Sequence, residues 1–177
     1  MNIRRFDNVA PSIASTAYID PSAVVIGNVA IGEHASLWPM VVVRGDVNHV
    51  HIGACTNIQD GTVVHCTQDA QCSPGRFATH IGDHVTIGHN AVVHACTVGD
   101  FSLIGMSCTV MDGAVIESKV MLGAGSLVPP GKRLESGYLW VGAPARKVRA
   151  LSSSESESLV YSAEHYVKLK NRYLKME

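Results

Sequence analysis

Nine histidines are spread over this 177-residue chain, and two of them, His89 and His94, stand five apart in the small, apolar stretch "GHNAVVHAC". Neutral imidazoles are the commonest ligands of zinc-type cations, and three on one ion leave a fourth position open for water. A His-x4-His pair is weak evidence by itself, because most histidines sit on surfaces or in turns and do no chemistry. His34, His49, His51, His80, His84 and His165 are read in that ordinary way. His65, His89 and His94 become a site only if the fold brings them together, so the elements that carry them decide the matter.

Those elements announce themselves by a repeat. From Ile13 an Ile, Val or Leu recurs every six residues: Ile13, Ile19, Val25, Ile31, Leu37, Val43. After extra residues the series resumes as Ile52, Ile58, Val64 and again as Ile81, Ile87, Val93. One residue is then missing before Val98, Ile104, Val110, Ile116, Leu122, Val128 and Leu134. Glycine often follows the anchor, and a small or branched residue often precedes it by two. A period of six is neither helical nor a hairpin alternation. It suits a short strand and a tight turn, three strands to a coil, with one anchor per strand pointing into a narrow interior. The expected fold is an all-β solenoid, a parallel β-helix of triangular section, over residues 13–140. Residues 1–12 form an N-terminal arm and 141–151 an exit segment. From Ser152 the composition changes to "SSSESESLVYSAEHYVKLKNRYLKME". Ser152 with Glu155, or Ser154 with Glu157, can form a capping box. Leu159, Ala163, Tyr166, Leu169 or Lys170, and Tyr173 recur at helical spacing, so 152–177 reads as a C-terminal α-helix packed along the β-helix or on a neighbouring subunit.

The repeat gives each histidine a face. Val43, Val64 and Val93 fall on the third face of successive coils, so Arg44, His65 and His94, one residue later, stack at a strand spacing of about 4.8 Å. Two histidines at that offset can share an ion at Zn–N distances of about 2.0–2.1 Å. His89 lies on the second face, directly above Asp60, with Gln59 next to Asp60. Roughly 16 Å of extended chain, at about 3.3 Å per residue, separates His89 from His94. The simpler solution is that His89 of one chain meets His65 and His94 of another. That requires a symmetric oligomer, and three-fold closure suits a triangular prism.

The totals exclude other classes. A net charge of −1 with 16% charged residues gives no footprint for nucleic acid or anionic membrane. The N-terminus has no apolar core of a leader, and no long apolar run appears, which points to a soluble, cytoplasmic protein. Five cysteines without a C-x-x-C pair argue against a disulfide or Cys-rich zinc framework. Cys108 is core, and Cys66 and Cys96 are filler near the site.

The segments "VVVRGDVNHVHIGACTNIQDGTVVH" and "IGHNAVVHACTVGDFSLIGM" closely resemble the gamma-class carbonic anhydrases within the hexapeptide-repeat proteins. The resemblance implies a left-handed coil, although the usual crossover rule is right-handed. It implies zinc, or iron under anaerobic conditions, at the interfaces of a homotrimer, held by His65 and His94 with His89 from the neighbour. By the same resemblance Arg44 and Asp46 pair near the interface, Gln59 bonds the metal-bound solvent, and Asn57 is a further polar group of the pocket. Asp60 either orients an imidazole or pairs with Arg44. Tyr166, or failing that Tyr161, reaches the site from the C-terminal helix.

The chemistry expected is that of a carbonic anhydrase-like lyase. The cation lowers the pKa of bound water to about 7, and the resulting hydroxide attacks CO2 to give bicarbonate. Two features depart from the family archetype. Val47 stands where the archetype has a glutamate after R-x-D, and in the loop 66–79 Asp69 is the only acid. Proton export should therefore be slow or dependent on buffer. Three other readings compete: a metal-dependent acyl-CoA thioesterase with the same ligands, a metal-free acyltransferase using a histidine base, and a structural relative that keeps its metal for stability.

Overall fold

In a strand of two or three residues only one side chain points inward, and in this protein the hexad anchor takes that position. The computed structural model describes residues 2–69 and 77–175. Its strands stack in parallel with anchor upon anchor. One column runs Ile13, Ile31, Ile52, Ile81, Val98, Ile116, Leu134. A second runs Ile19, Leu37, Ile58, Ile87, Ile104, Leu122 and ends on Trp140. The third is Val25, Val43, Val64, Val93, Val110, Val128. Every anchor beyond the first coil's Ile13 and Ile19 is buried, and Cys108 lies in the same core. The result is a left-handed parallel β-helix of about 7 turns with one C-terminal helix.

Corner geometry is as repetitive as the core. Along one edge His34, Cys55, His84, Phe101 and Lys119 each stand three residues after an anchor, and each has positive φ. That region is sparsely populated for side-chain-bearing residues, so its recurrence shows that the corner demands it. Glycine after the anchor answers a different need. A Cβ at Gly88 would stand 2.7 Å from the Met106 backbone nitrogen, and one at Gly105 would stand 2.5 Å from that of Ala124. Coils approach too closely there for any side chain.

The breaks in the repeat shape the surface. Val24–Ile31 and Val42–Ile52 are long strands that turn a corner and join two faces into a 12-stranded sheet; the third face is a separate 8-stranded sheet. Gly27 pairs with Gly45, but Val29 pairs with Val50. The extra residues of the second strand thus bulge outward at 46–49, carrying Asp46 and His49 clear of the regular register. The insertion that begins at Cys66 runs partly through 70–76, so half of the acid-poor loop 66–79, Cys72 included, lies outside the described residues.

Both ends are tied down. Asn2–Arg4 pairs in parallel with Val24–Ile26. Tyr138–Val141 and Arg146–Ala150 form an antiparallel pair at the other end. The helix Ser153–Tyr173 starts at a capping box of Ser152 and Glu155, and Arg149 grips Glu155 with two bonds of 2.7 Å. It then packs on its own β-helix along the 8-stranded face, against the strands Ser36–Leu37, Asn57–Ile58 and Thr86–Ile87. Leu159 and Ala163 are buried there, and Trp38 meets Tyr166 and Tyr173 edge-on at 5.5 and 5.1 Å. Such ring pairs contribute about 0.5–1.5 kcal/mol beyond their buried area. Lys170 is buried as well, its Nζ donating to the Thr16 carbonyl at 2.6 Å; burial pushes its amine below the usual lysine range.

Candidate metal centre

Arg44, His65 and His94 occupy one register position on three adjacent strands, so their side chains leave the β-helix in a column. The two rings face each other with centroids 5.1 Å apart, and His65 Nδ1 stands 3.1 Å from His94 Nε2. Each remaining ring nitrogen meets a carboxylate. His65 Nε2 is 3.0 Å from Asp46 Oδ1, and His94 Nδ1 is 2.6 Å from Asp112 Oδ1.

Burial alone would push the Asp46 carboxyl up, but the bonds from His65 and Arg44 outweigh it and hold Asp46 at about 2. Asp112 is likewise held below the usual range, the bonds from His94 and Thr67 outweighing its burial. Both are therefore carboxylates, which only accept, so each imidazole must donate on its carboxylate side. A neutral imidazole has one N–H. The nitrogens left facing each other at 3.1 Å are then both lone pairs, and they repel unless a positive charge lies between them, either a proton or a cation. Two neutral imidazoles, each backed by a carboxylate, are a donor set that fits a zinc-type ion.

Asp112 is a residue that reading the repeat missed. It sits two residues after the anchor Val110, on the coil beyond His94, one position past Met111, which takes the column's next place. Thr67 holds its other oxygen at 2.8 Å. Following the column one coil further reaches Met111, so the register alone does not point to Asp112.

His89 lies apart from this pair. Its Nδ1 is 3.0 Å from Asp60 Oδ2, on the adjoining face, and among the described residues it touches neither His65 nor His94. Arg44 bonds Asp46 instead of Asp60. Beside His89 a polar chain runs inward from the helix. Ser162 Oγ and Thr86 Oγ1 are 3.0 Å apart, Asn57 Nδ2 donates to Thr86 Oγ1 at 2.9 Å, and Gln59 Nε2 donates to Asn57 Oδ1 at 3.1 Å. Gln59 thus keeps its carbonyl oxygen and a second amide hydrogen for a ligand. Gln59, His89 and Tyr166 line one cavity of about 440 Å³ beneath the helix, whose remaining wall is largely apolar: Leu103, Met106, Met121, Leu139. Burial, and then the negative charge of Asp60, raise the Tyr166 phenol above its usual range. Tyr161 is 65% exposed and stacks on His165.

Among the described residues Asp46, His65 and Cys66 also bring ligand atoms within 4.8 Å of one another. Cys66 is fully buried, and burial pushes its thiol up. A thiol ligates as its thiolate, so the imidazole pair is the better donor set. Cys96 is buried too, its thiol pushed up to about 12 by burial. Val47 is exposed beside Asp46 and offers no proton acceptor.

No protein-family model matches the chain. It is 48% identical over 172 residues to Protein YrdA of Escherichia coli (strain K12), covering 97% of this chain and 94% of that protein. It is 44% identical over 169 residues to the mitochondrial gamma carbonic anhydrase 2 of Arabidopsis thaliana, covering 96% of this chain and 59% of the plant protein, so it spans about three-fifths of that relative's length. Among solved structures it superposes on a hexapeptide transferase family protein from Anaplasma phagocytophilum with a TM-score of 0.88, at 43% identity over 97% of each chain.

Proposed function

Because the chain belongs to the gamma carbonic anhydrase-like hexapeptide-repeat proteins, we propose that it hydrates CO2 reversibly to bicarbonate at a metal centre shared between protomers of a homotrimer. The observation that carries this reading is the His65–His94 pair, whose facing lone pairs call for a positive charge that a zinc-type cation would supply. Zinc, or iron in its place, would be held by His65 and His94 of one protomer and His89 of the next, and would act as a Lewis acid that brings the pKa of water to about 7.

The chain's own residues do the rest. Asp46 and Asp112 fix which nitrogen of each ring faces the ion, and Asp60 does the same for His89. Gln59, held by Asn57, orients the reacting water and substrate. Tyr166 stays protonated at neutral pH and offers a hydrogen bond without a charge. The subunit contact is supported by apolar side chains left exposed around the ligands: Met40, Val63, Val92 and Met106. Val63 and Val92 are register neighbours, each just before the anchor preceding a ligand histidine.

A second reading has its own observation. CO2 needs little room, and the cavity of about 440 Å³ beside His89 has an apolar wall that suits the acyl chain of a thioester. The same centre would then hydrolyse acyl-CoA.

The test is metal analysis of protein purified with and without oxygen, light scattering, and both assays on one sample. The expected result is a trimer whose metal and CO2 hydration are lost together in His94→Ala. Full metal occupancy in that variant, or a monomer that holds the ion tightly, would overturn the site. Acyl-CoA hydrolysis without hydration would favour the second reading.

A further inference from the structure

A second group of imidazoles lies outside this centre. His51 and His80 occupy the same register position on neighbouring strands, one residue before the anchors Ile52 and Ile81. They therefore point outward from adjacent strands of the face that follows the ligand column. His49 comes two residues before His51, on the outward bulge, and so shares its side of the strand. The ring centroids of His49 and His80 are 4.8 Å apart, and those of His51 and His80 are 6.5 Å apart.

We propose that His49, His51 and His80 form a separate surface site for a divalent transition-metal cation of the zinc, copper and nickel class. With metal–nitrogen bonds of about 2.0–2.1 Å, each ring centre stands about 3.2 Å from a shared ion, so two rings on it are about 4.5 to 6.4 Å apart as their angle at the metal opens from square to linear. Both observed separations lie at or within about 0.1 Å of that range. The nitrogens have not all converged as the rings stand, since the described trio with ligand atoms already within 4.8 Å is the one at Asp46. Rotation about χ2 re-aims the nitrogens while leaving the ring centres almost in place, and that torsion is soft. His51 is exposed and free to make the turn.

The surroundings favour a ligand over a charge. Among the described residues no carboxylate is hydrogen-bonded to any of the three rings. Burial, and then the neighbouring His49 and His51, hold the His80 ring below the usual histidine range. Three imidazoles gathered on one outer face, with no carboxylate hydrogen-bonded to them among the described residues, are a donor set that a soft-to-borderline cation fits. The bulge at 46–49 that carries Asp46 to His65 is also what carries His49 to His80.

The full-length protein, stripped with chelator, is titrated with Zn²⁺ and the bound equivalents per chain are counted. Two are expected in the wild type. His51→Asn/His80→Asn should lose one, and His94→Ala should lose the other. The single variant His51→Asn, at an exposed position, should weaken one equivalent at least tenfold while leaving the melting curve unchanged. A double variant that binds as much zinc as the wild type would overturn the proposal, as would a wild type whose sole equivalent disappears with His94→Ala. If the sole equivalent disappears with His51→Asn/His80→Asn and survives in His94→Ala, this site stands and the proposed CO2-hydrating centre falls.

Discussion

His65 Nδ1 and His94 Nε2 face each other at 3.1 Å across one coil, with Asp46 behind the first ring and Asp112 behind the second. Asp112→Ala removes one backing carboxylate without touching a ligand. Metal affinity should fall about 10–100-fold, the usual cost of losing an orienting partner. Competition with a chelator measures it, and an unchanged zinc affinity would mean that Asp112 only packs.

Tyr166→Phe deletes one hydroxyl and keeps the ring against Trp38. Metal content and melting temperature should hold, while kcat for hydration falls on the order of tenfold, equivalent to about 1.4 kcal/mol of barrier. Tyr161→Phe, at an exposed position, should change neither.

Proton export should limit turnover, because Val47 offers no acceptor beside Asp46. Hydration should climb with added imidazole buffer, and Val47→Glu should flatten that dependence. Stopped-flow rates across a buffer series decide it, and a rate indifferent to buffer in the wild type would contradict the argument.

Gly105→Ala puts a methyl group 2.5 Å from the Ala124 nitrogen and 2.7 Å from the Leu122 carbonyl oxygen. Adjacent coils cannot part without breaking their ladder, so the expected loss is about 1–3 kcal/mol, the range of overpacked cores. A urea midpoint reads it directly.

Arg149, and then the Ser152 backbone, hold the Glu155 carboxyl down at about 2 from an ordinary 4.5. A depressed carboxylate contributes stability that is complete above about pH 4.5 and drains away as the pH falls towards 2. Amide exchange in the first helical turn should accelerate through that window in the wild type. In Glu155→Gln, which can still cap, the acceleration should be absent.

The sequence carried the solenoid because its period is local: each anchor repeats six residues on, and stacking follows by counting. It also carried the His65–His94 column and the Asp60–His89 pair, which need only the register. What escaped was set by reach. Asp112 acts across coils from one position further round the turn, and Asp46 meets His65 only because the bulge throws it outward. Lys170 looked like an alternative to Leu169 on the helix; its burial depends on the Thr16 carbonyl, far away in the chain. The pairing of Asn2–Arg4 with Val24–Ile26 carries no hexad signature at all.

A solenoid is nearly one-dimensional: each coil touches only its neighbours, so such molecules tend to fray from their ends. The contact between Lys170 and the Thr16 carbonyl changes that. The C-terminal helix returns along the face and fastens the first coil. The first coil is therefore complete only once that helix has docked, and loosening either should loosen the other. The ladder should then open as a closed, cooperative unit, and Lys170→Met should cost the first coil its order.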